Sequence, residues 1–116
     1  MNIQIFGTKK SSDTRKAERW FKERRVKAQV IDLMDKGISR GELRSVAQCC
    51  GGLDALLDAD CRDRDALALV QYISAAQKED AILDNPQVLR QPIVRNGKKA
   101  AVGYRPEVYE GWMKEG

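Results

Sequence analysis

The strongest constraint on this chain is a change of hydrophobic period between residues 2 and 33. Asn2 to Phe6 alternates, with Ile3 and Ile5 against Asn2 and Gln4, the period-two pattern of a strand. Gly7 is expected to break it. Beyond a polar loop, Ala17, Trp20 and Phe21 recur at spacings of three and four, which marks one face of a helix. Ser12, Asp13 or Thr14 can supply its cap. "KAQVIDL", Lys27 to Leu33, returns to a strand pattern. Strand, helix and strand in so short a span predict a βαβ unit with parallel strands and a right-handed crossover.

The middle of the chain reads as helical. "DKG" turns it, and "SRGE" (Ser39 to Glu42) places a hydroxyl at a cap and a carboxylate three residues on, a capping box. Leu43, Val46, Ala47 and Cys50 line the face of the helix it opens, and Gly51 and Gly52 stop it. "LDALLD" is a short helical turn. Arg62 to about Leu83 carries Leu67, Val70, Ile73, Ala81 and Ile82 on apolar faces, with a break expected near Gln77 to Asp80.

The last third changes character. Pro86 and Pro92 bracket a connection. Ile93 and Val94 begin a strand, Asn96-Gly97 signals a hairpin, and Ala100 to Val102 returns. Arg105-Pro106-Glu107 opens a final helix with proline in its first turn, from which Val108 and Trp112 pack inward. The expected fold class is α/β: four strands with mixed pairing, helices on the faces, and one domain over 1–116 with a helical insertion at about 39–84.

Charge and cysteine usage bound the function. The 116 residues hold 21 basic and 17 acidic side chains, a formal net charge of +4. The two signs are interleaved, which predicts a solvated surface rather than a nucleic-acid footprint, with no direct DNA binding. No apolar run nears the roughly 20 residues of a membrane span, and no signal peptide is visible. Cys49, Cys50 and Cys61 form an odd set without metal-ligand spacing, against a disulfide framework and a zinc site. A reducing cytoplasm and no bound metal are the expectation. There is no histidine, which removes the commonest general base. Cys50 falls on an apolar helix face, and Cys49 can be exposed. Cys61, in "DADCRDR", is the best candidate for a surface thiol. Trp20, Phe21 and Trp112 read as core rather than as a base-stacking platform.

The stretch "IFGTKKSSDTRKAERWF", Ile5 to Phe21, carries the candidate chemistry. A helix N-terminus presents unpaired amide protons and the positive end of a dipole. A thiolate or oxyanion placed there is stabilised. Lys9, Lys10, Arg15 and Lys16 add to that field, so cations and amides are expected to converge on the helix start.

Together with "GISRGEL", "GGLDALLD" and "NPQVLRQPIVRNGKKAAVGYRPE", this stretch resembles the ArsC/Spx-like (arsenate reductase) family of the thioredoxin fold, in order over most of the chain. The resemblance puts the family's nucleophilic cysteine at Ser11 and the second cysteine of a redox pair at Thr14. It puts oxyanion or thiol contacts at Lys9, Lys10, Ser12, Thr14, Arg15, Gln91, Pro92 and Arg105. The family's arginine directly before the proline is Gln91 here. Its arginine in an "RP" pair is Arg105. A third, near "GLDALL", has no counterpart, the nearest residue being Asp54. Pro92 matches the fold's cis-proline, with Gln91 beside the pocket.

A serine hydroxyl has no accessible redox couple, and no histidine activates it. Thiol chemistry at position 11 therefore requires a native cysteine there, with Ser11 an engineered replacement; a serine codon in the native gene excludes that. A cysteine form would be a mono-cysteine reductase, drawing on glutathione or glutaredoxin. With Gln91 in place of a cation it would lose about 1.5–3 kcal/mol of oxyanion binding. Three functions follow from the resemblance: an arsenate-reductase-type oxidoreductase; a non-catalytic Spx-like regulator docking on an RNA polymerase subunit; or a non-catalytic binder of another small anion or thiol.

Overall fold

In the computed structural model, which describes residues 1–115, the alternating segment becomes strand β1 (Ile3–Gly7) at the centre of a four-stranded sheet. Helix α1 (Ser12–Glu23) returns the chain to β2 (Ala28–Asp32), parallel to β1 with Ile5 opposite Val30. On its other side β1 pairs antiparallel with β3 (Ile93–Asn96), Ile5 opposite Val94. β3 pairs antiparallel with β4 (Lys99–Val102), giving the order β2-β1-β3-β4. The mixed sheet and the βαβ opening are those predicted.

Period two sorts the strand residues onto two cores. Ile3, Ile5, Val94 and Ala101 face α1 and α5 (Pro106–Glu115), where Trp20, Phe21, Tyr109 and Trp112 are buried. Trp20 meets Phe21 edge-on at 5.0 Å and Tyr109 at 5.5 Å, the geometry that aromatic quadrupoles favour. Phe6, Ile31 and Ile93 face the opposite way. They pack against α2 (Arg40–Cys50), α3 (Arg64–Tyr72), α4 (Ala75–Asp84) and two 3-10 turns at Asp54–Leu56 and Pro86–Val88.

Local signals act where the sequence places them, with three shifts. The Ser39–Glu42 capping box forms, and Gly51 ends α2 at φ 97°, a left-handed conformation that glycine adopts without strain. The hairpin turn lies one residue later than expected, at Gly97-Lys98, with Asn96 opposite Lys99. Gly97 takes φ 61°, as the first central residue of a type II′ turn does. The helical break falls at Ile73-Ser74, both extended, not at Gln77 to Asp80. The polar run there is instead a cross-helix seam: Lys78 pairs with Asp54 at 2.7 Å, and Glu79 accepts from Arg44 at 2.8 Å and from Arg40. Gly7, expected to end β1, lies within it opposite Asp32. Its role is a close approach to the Thr14 side chain. Among the described residues no helix is long and apolar enough to cross a membrane.

Candidate functional site

The site forms where β1 gives way to α1. Gly7 packs against the Thr14 side chain so closely that a Cβ on residue 7 would lie 2.3 Å from Thr14 Oγ1. Thr14 is 2% exposed and, among the described residues, its hydroxyl has no hydrogen-bond partner. This contact clamps the helix start onto the strand end. Between them the loop closes tightly, with Ser11 N–H donating to Thr8 O at 3.1 Å. The cap is Ser11, not the three residues after it: its Oγ accepts from Thr14 N–H at 3.2 Å.

A second element locks the loop from across the sheet. Gln91 Oε1 accepts from Thr8 N–H at 2.7 Å and from Thr8 Oγ1 at 3.0 Å. The Gln91-Pro92 peptide is cis, Pro92 is buried, and its carbonyl accepts from Gly103 N–H at 2.8 Å. The Gln91 side-chain oxygen Oε1 is thus spent on holding the loop.

Ser11 and Ser12 border an open hollow of about 430 Å³ shared with Asp13, Asp58, Asp60, Arg90 and Gln91. Lys9 and Lys10 edge a larger continuation that also contains Asp32, Asp58 and Asp60. The expected gathering of cations around residue 11 is therefore met by carboxylates. Of the other cations, Arg15 donates to the Lys9 carbonyl and Lys16 lies 3.7 Å from Asp13, so both are engaged locally.

Arg105 lies elsewhere. It borders a different hollow with Cys49 and Cys50, and its Nε donates to Glu107 at 2.6 Å. The expected anion clamp at residue 11 is thus not where Arg105 sits, because the turn after β4 carries it toward the end of α2. Arg90, which sequence reasoning passed over, is the arginine that reaches the Ser11 hollow. Its backbone N–H donates to Leu56 O at 2.8 Å. Its guanidinium lies over Gly103, where a Cβ would come within 3.1 Å of Nη2. The available signal was its place two residues before Pro92, next to a glycine-containing "VGY" return.

Cys61, expected as a surface thiol, is buried. It is 5% exposed, with its thiol donating to Gln87 O at 3.3 Å; the "DADCRDR" loop folds inward and closes over it. Cys49 is exposed and Cys50 half-buried. Among the described residues no cluster of histidine, cysteine, aspartate or glutamate could hold a metal ion.

The family model described as the ArsC family matches residues 6–112. The chain belongs to the ArsC family. ArsC-family relatives of similar length include global transcriptional regulator Spx 2 of Lactococcus lactis subsp. lactis, 27% identical over 113 residues, 96% of this chain and 86% of the relative. The regulator Spx of Streptococcus pyogenes serotype M1 is 24% identical over 96% of this chain and 84% of its own. Among solved structures, an arsenate reductase from Vibrio cholerae superposes with a TM-score of 0.81 at 23% identity, covering 96% of this chain and 97% of that one. An ArsC family related protein from Bacteroides fragilis gives 0.82 at 17% identity, with the same coverage. These likenesses establish the thioredoxin-like ArsC fold.

Proposed function

We propose that this ArsC-family chain acts as a binding protein of the Spx type, docking on an RNA polymerase subunit, rather than as a reductase. The observation that carries this reading is the state of position 11. Its side chain is a hydroxyl committed to capping α1, in a hollow that brings Asp13, Asp58 and Asp60 beside it. Carboxylates there oppose an incoming oxyanion at short range, and the hydroxyl supplies no electrons. The regulators among its relatives support the reading. A cytoplasmic location accords with it.

One observation favours a second reading, a thiol-dependent reductase whose native residue 11 is cysteine. Arg90 and a helix N-terminus both face the hollow, next to the cis Gln91-Pro92 peptide. In that reading glutathione or glutaredoxin returns the enzyme to its thiol state, and the carboxylates weaken oxyanion binding.

The two readings are separated by one pair of measurements on the purified chain. Surface plasmon resonance against purified bacterial RNA polymerase is expected to show saturable binding. Arsenate-dependent oxidation of glutathione is expected to be absent for the chain and slight for Ser11→Cys. No polymerase binding together with robust arsenate turnover by Ser11→Cys overturns the proposal.

A further inference from the structure

The second hollow, about 350 Å³, is also bordered by Arg90 and is lined by two of the three cysteines. Cys49 is exposed at the C-terminal end of α2. Its sulfur is held against the edge strand β4: Ala100 N–H donates to Cys49 Sγ at 3.3 Å, and the thiol lies 3.7 Å from Ala100 O. Arg90 and Arg105 border the same hollow. Arg105 is partly neutralised by Glu107, whereas Arg90 makes no ion pair among the described residues. An exposed, positioned thiol and two arginines thus border one concavity on the sheet edge, distinct from the hollow at the start of α1.

We infer that this hollow is a thiol-exchange site, in which Cys49 forms a mixed disulfide with a small carboxylate-bearing disulfide held by Arg90 and Arg105. The Cys49 sulfur attacks one sulfur of the incoming disulfide. A Cys49–S bond forms, the incoming S–S bond breaks, and the departing half leaves as a thiolate while the Cys49 proton passes to solvent. Cys49 is oxidised and the departing thiol is reduced, so the exchange needs no other reactant.

Cys50 does not displace the adduct. Neighbouring Cα atoms stand about 3.8 Å apart, short of the roughly 4.4–6.8 Å a disulfide spans, and the helical turn would have to unwind. Burial, and then Cys49 beside it, push the Cys50 thiol up from its ordinary value, which keeps it protonated. Cys61 is enclosed, 5% exposed, within the core on which α2 packs. The adduct therefore persists until an external thiol removes it, and while it lasts Cys49 cannot donate to β4. The inference is independent of what position 11 does.

The test compares two chromogenic disulfides on the intact chain: 5,5′-dithiobis(2-nitrobenzoate), which carries carboxylates, and uncharged 4,4′-dithiodipyridine. Peptide mapping identifies the modified residue. The expected result is one fast-reacting thiol, Cys49, lost in Cys49→Ser. Arg90→Ala should slow the anionic reagent roughly threefold or more, the effect of one removed charge at the surface. Arg105→Ala should slow it less, and Arg90→Lys should retain most of the rate. The neutral reagent should react equally with all of these arginine variants, and added salt should mimic Arg90→Ala. Oxidised glutathione should yield a single adduct by intact mass. Equal slowing of both reagents, no slowing of either, or first modification at Cys50 or Cys61 overturns the inference.

Discussion

Replacing Gly7 by alanine tests whether the end of β1 and the start of α1 are clamped as the structure shows. The added methyl would lie 2.3 Å from Thr14 Oγ1, 2.6 Å from Cγ2 and 3.0 Å from Cβ. All three atoms belong to one β-branched side chain, 2% exposed, whose χ1 in a helix has little freedom. Relief requires the helix start to move from the strand, so the substitution should cost about 1–3 kcal/mol, the range for overpacking. At this chain length that is roughly 4 °C of Tm per kcal/mol. Thr14→Ala removes the two closest atoms, one of them a buried hydroxyl oxygen with no hydrogen-bond partner among the described residues. Its lost methyl burial, about 0.8 kcal/mol, is offset by release of that hydroxyl, worth about 1–3 kcal/mol. Alone it should be near neutral or stabilising. In the double variant most of the Gly7→Ala penalty should vanish, leaving a coupling of about 1–2 kcal/mol. Urea unfolding of the four proteins, followed by far-ultraviolet circular dichroism, gives the cycle. Additivity within about 0.5 kcal/mol would refute the clamp.

Two titrations also have defined signs. Hydrogen bonds from Arg44 and then Arg40 hold the Glu79 carboxyl at about 2, against an ordinary 4.5. The folded state binds this proton more weakly than the unfolded one, so the α2–α4 seam stabilises fully above pH 4.5 and is lost as pH falls toward 2. In acid unfolding monitored by fluorescence, Glu79→Gln should flatten that limb and approach the parent at its acid end; an unchanged slope would count against the seam. At the alkaline end, burial pushes the Tyr109 phenol up to about 12, so its contribution is present below pH 10 and lost as pH rises through 12. Tyr109→Phe leaves Gly103 O and Arg105 N–H without their phenol partner. It should cost about 1–3 kcal/mol at neutral pH by thermal unfolding, with a flatter alkaline limb.

Much of the fold was legible because its signals are local. Ser39 and Glu42 meet through three residues of backbone, Gly51 and Gly97 supply positive φ where the chain must reverse, and Pro106 opens α5. The alternation in β1 divides its residues between the two cores whatever packs on them. Those features depend on dihedral preference and period, which neighbours in sequence decide. Mixed pairing of four strands was expected, but the order β2-β1-β3-β4 is set by pairing between segments far apart in the chain.

What surrounds a side chain is a different matter, since it depends on segments far apart in the chain. Asp58 and Asp60 come to Ser11 only because the loop after α2 folds over the β1–α1 corner. The same fold encloses Cys61, whose charged neighbours in sequence suggested exposure. Gly7, read as a strand breaker, is required by a threonine seven residues later. Arg105, expected at Ser11, is carried by the turn after β4 toward Cys49, while Arg90, for which no place was expected, lies across the backbone at Gly103. Sequence alone fixed the strands, the helices and the Ser39–Glu42 capping box of α2. Only tertiary packing decided which charges face the start of α1 and which thiol faces solvent, because electrostatic surroundings and burial are set by distance in space.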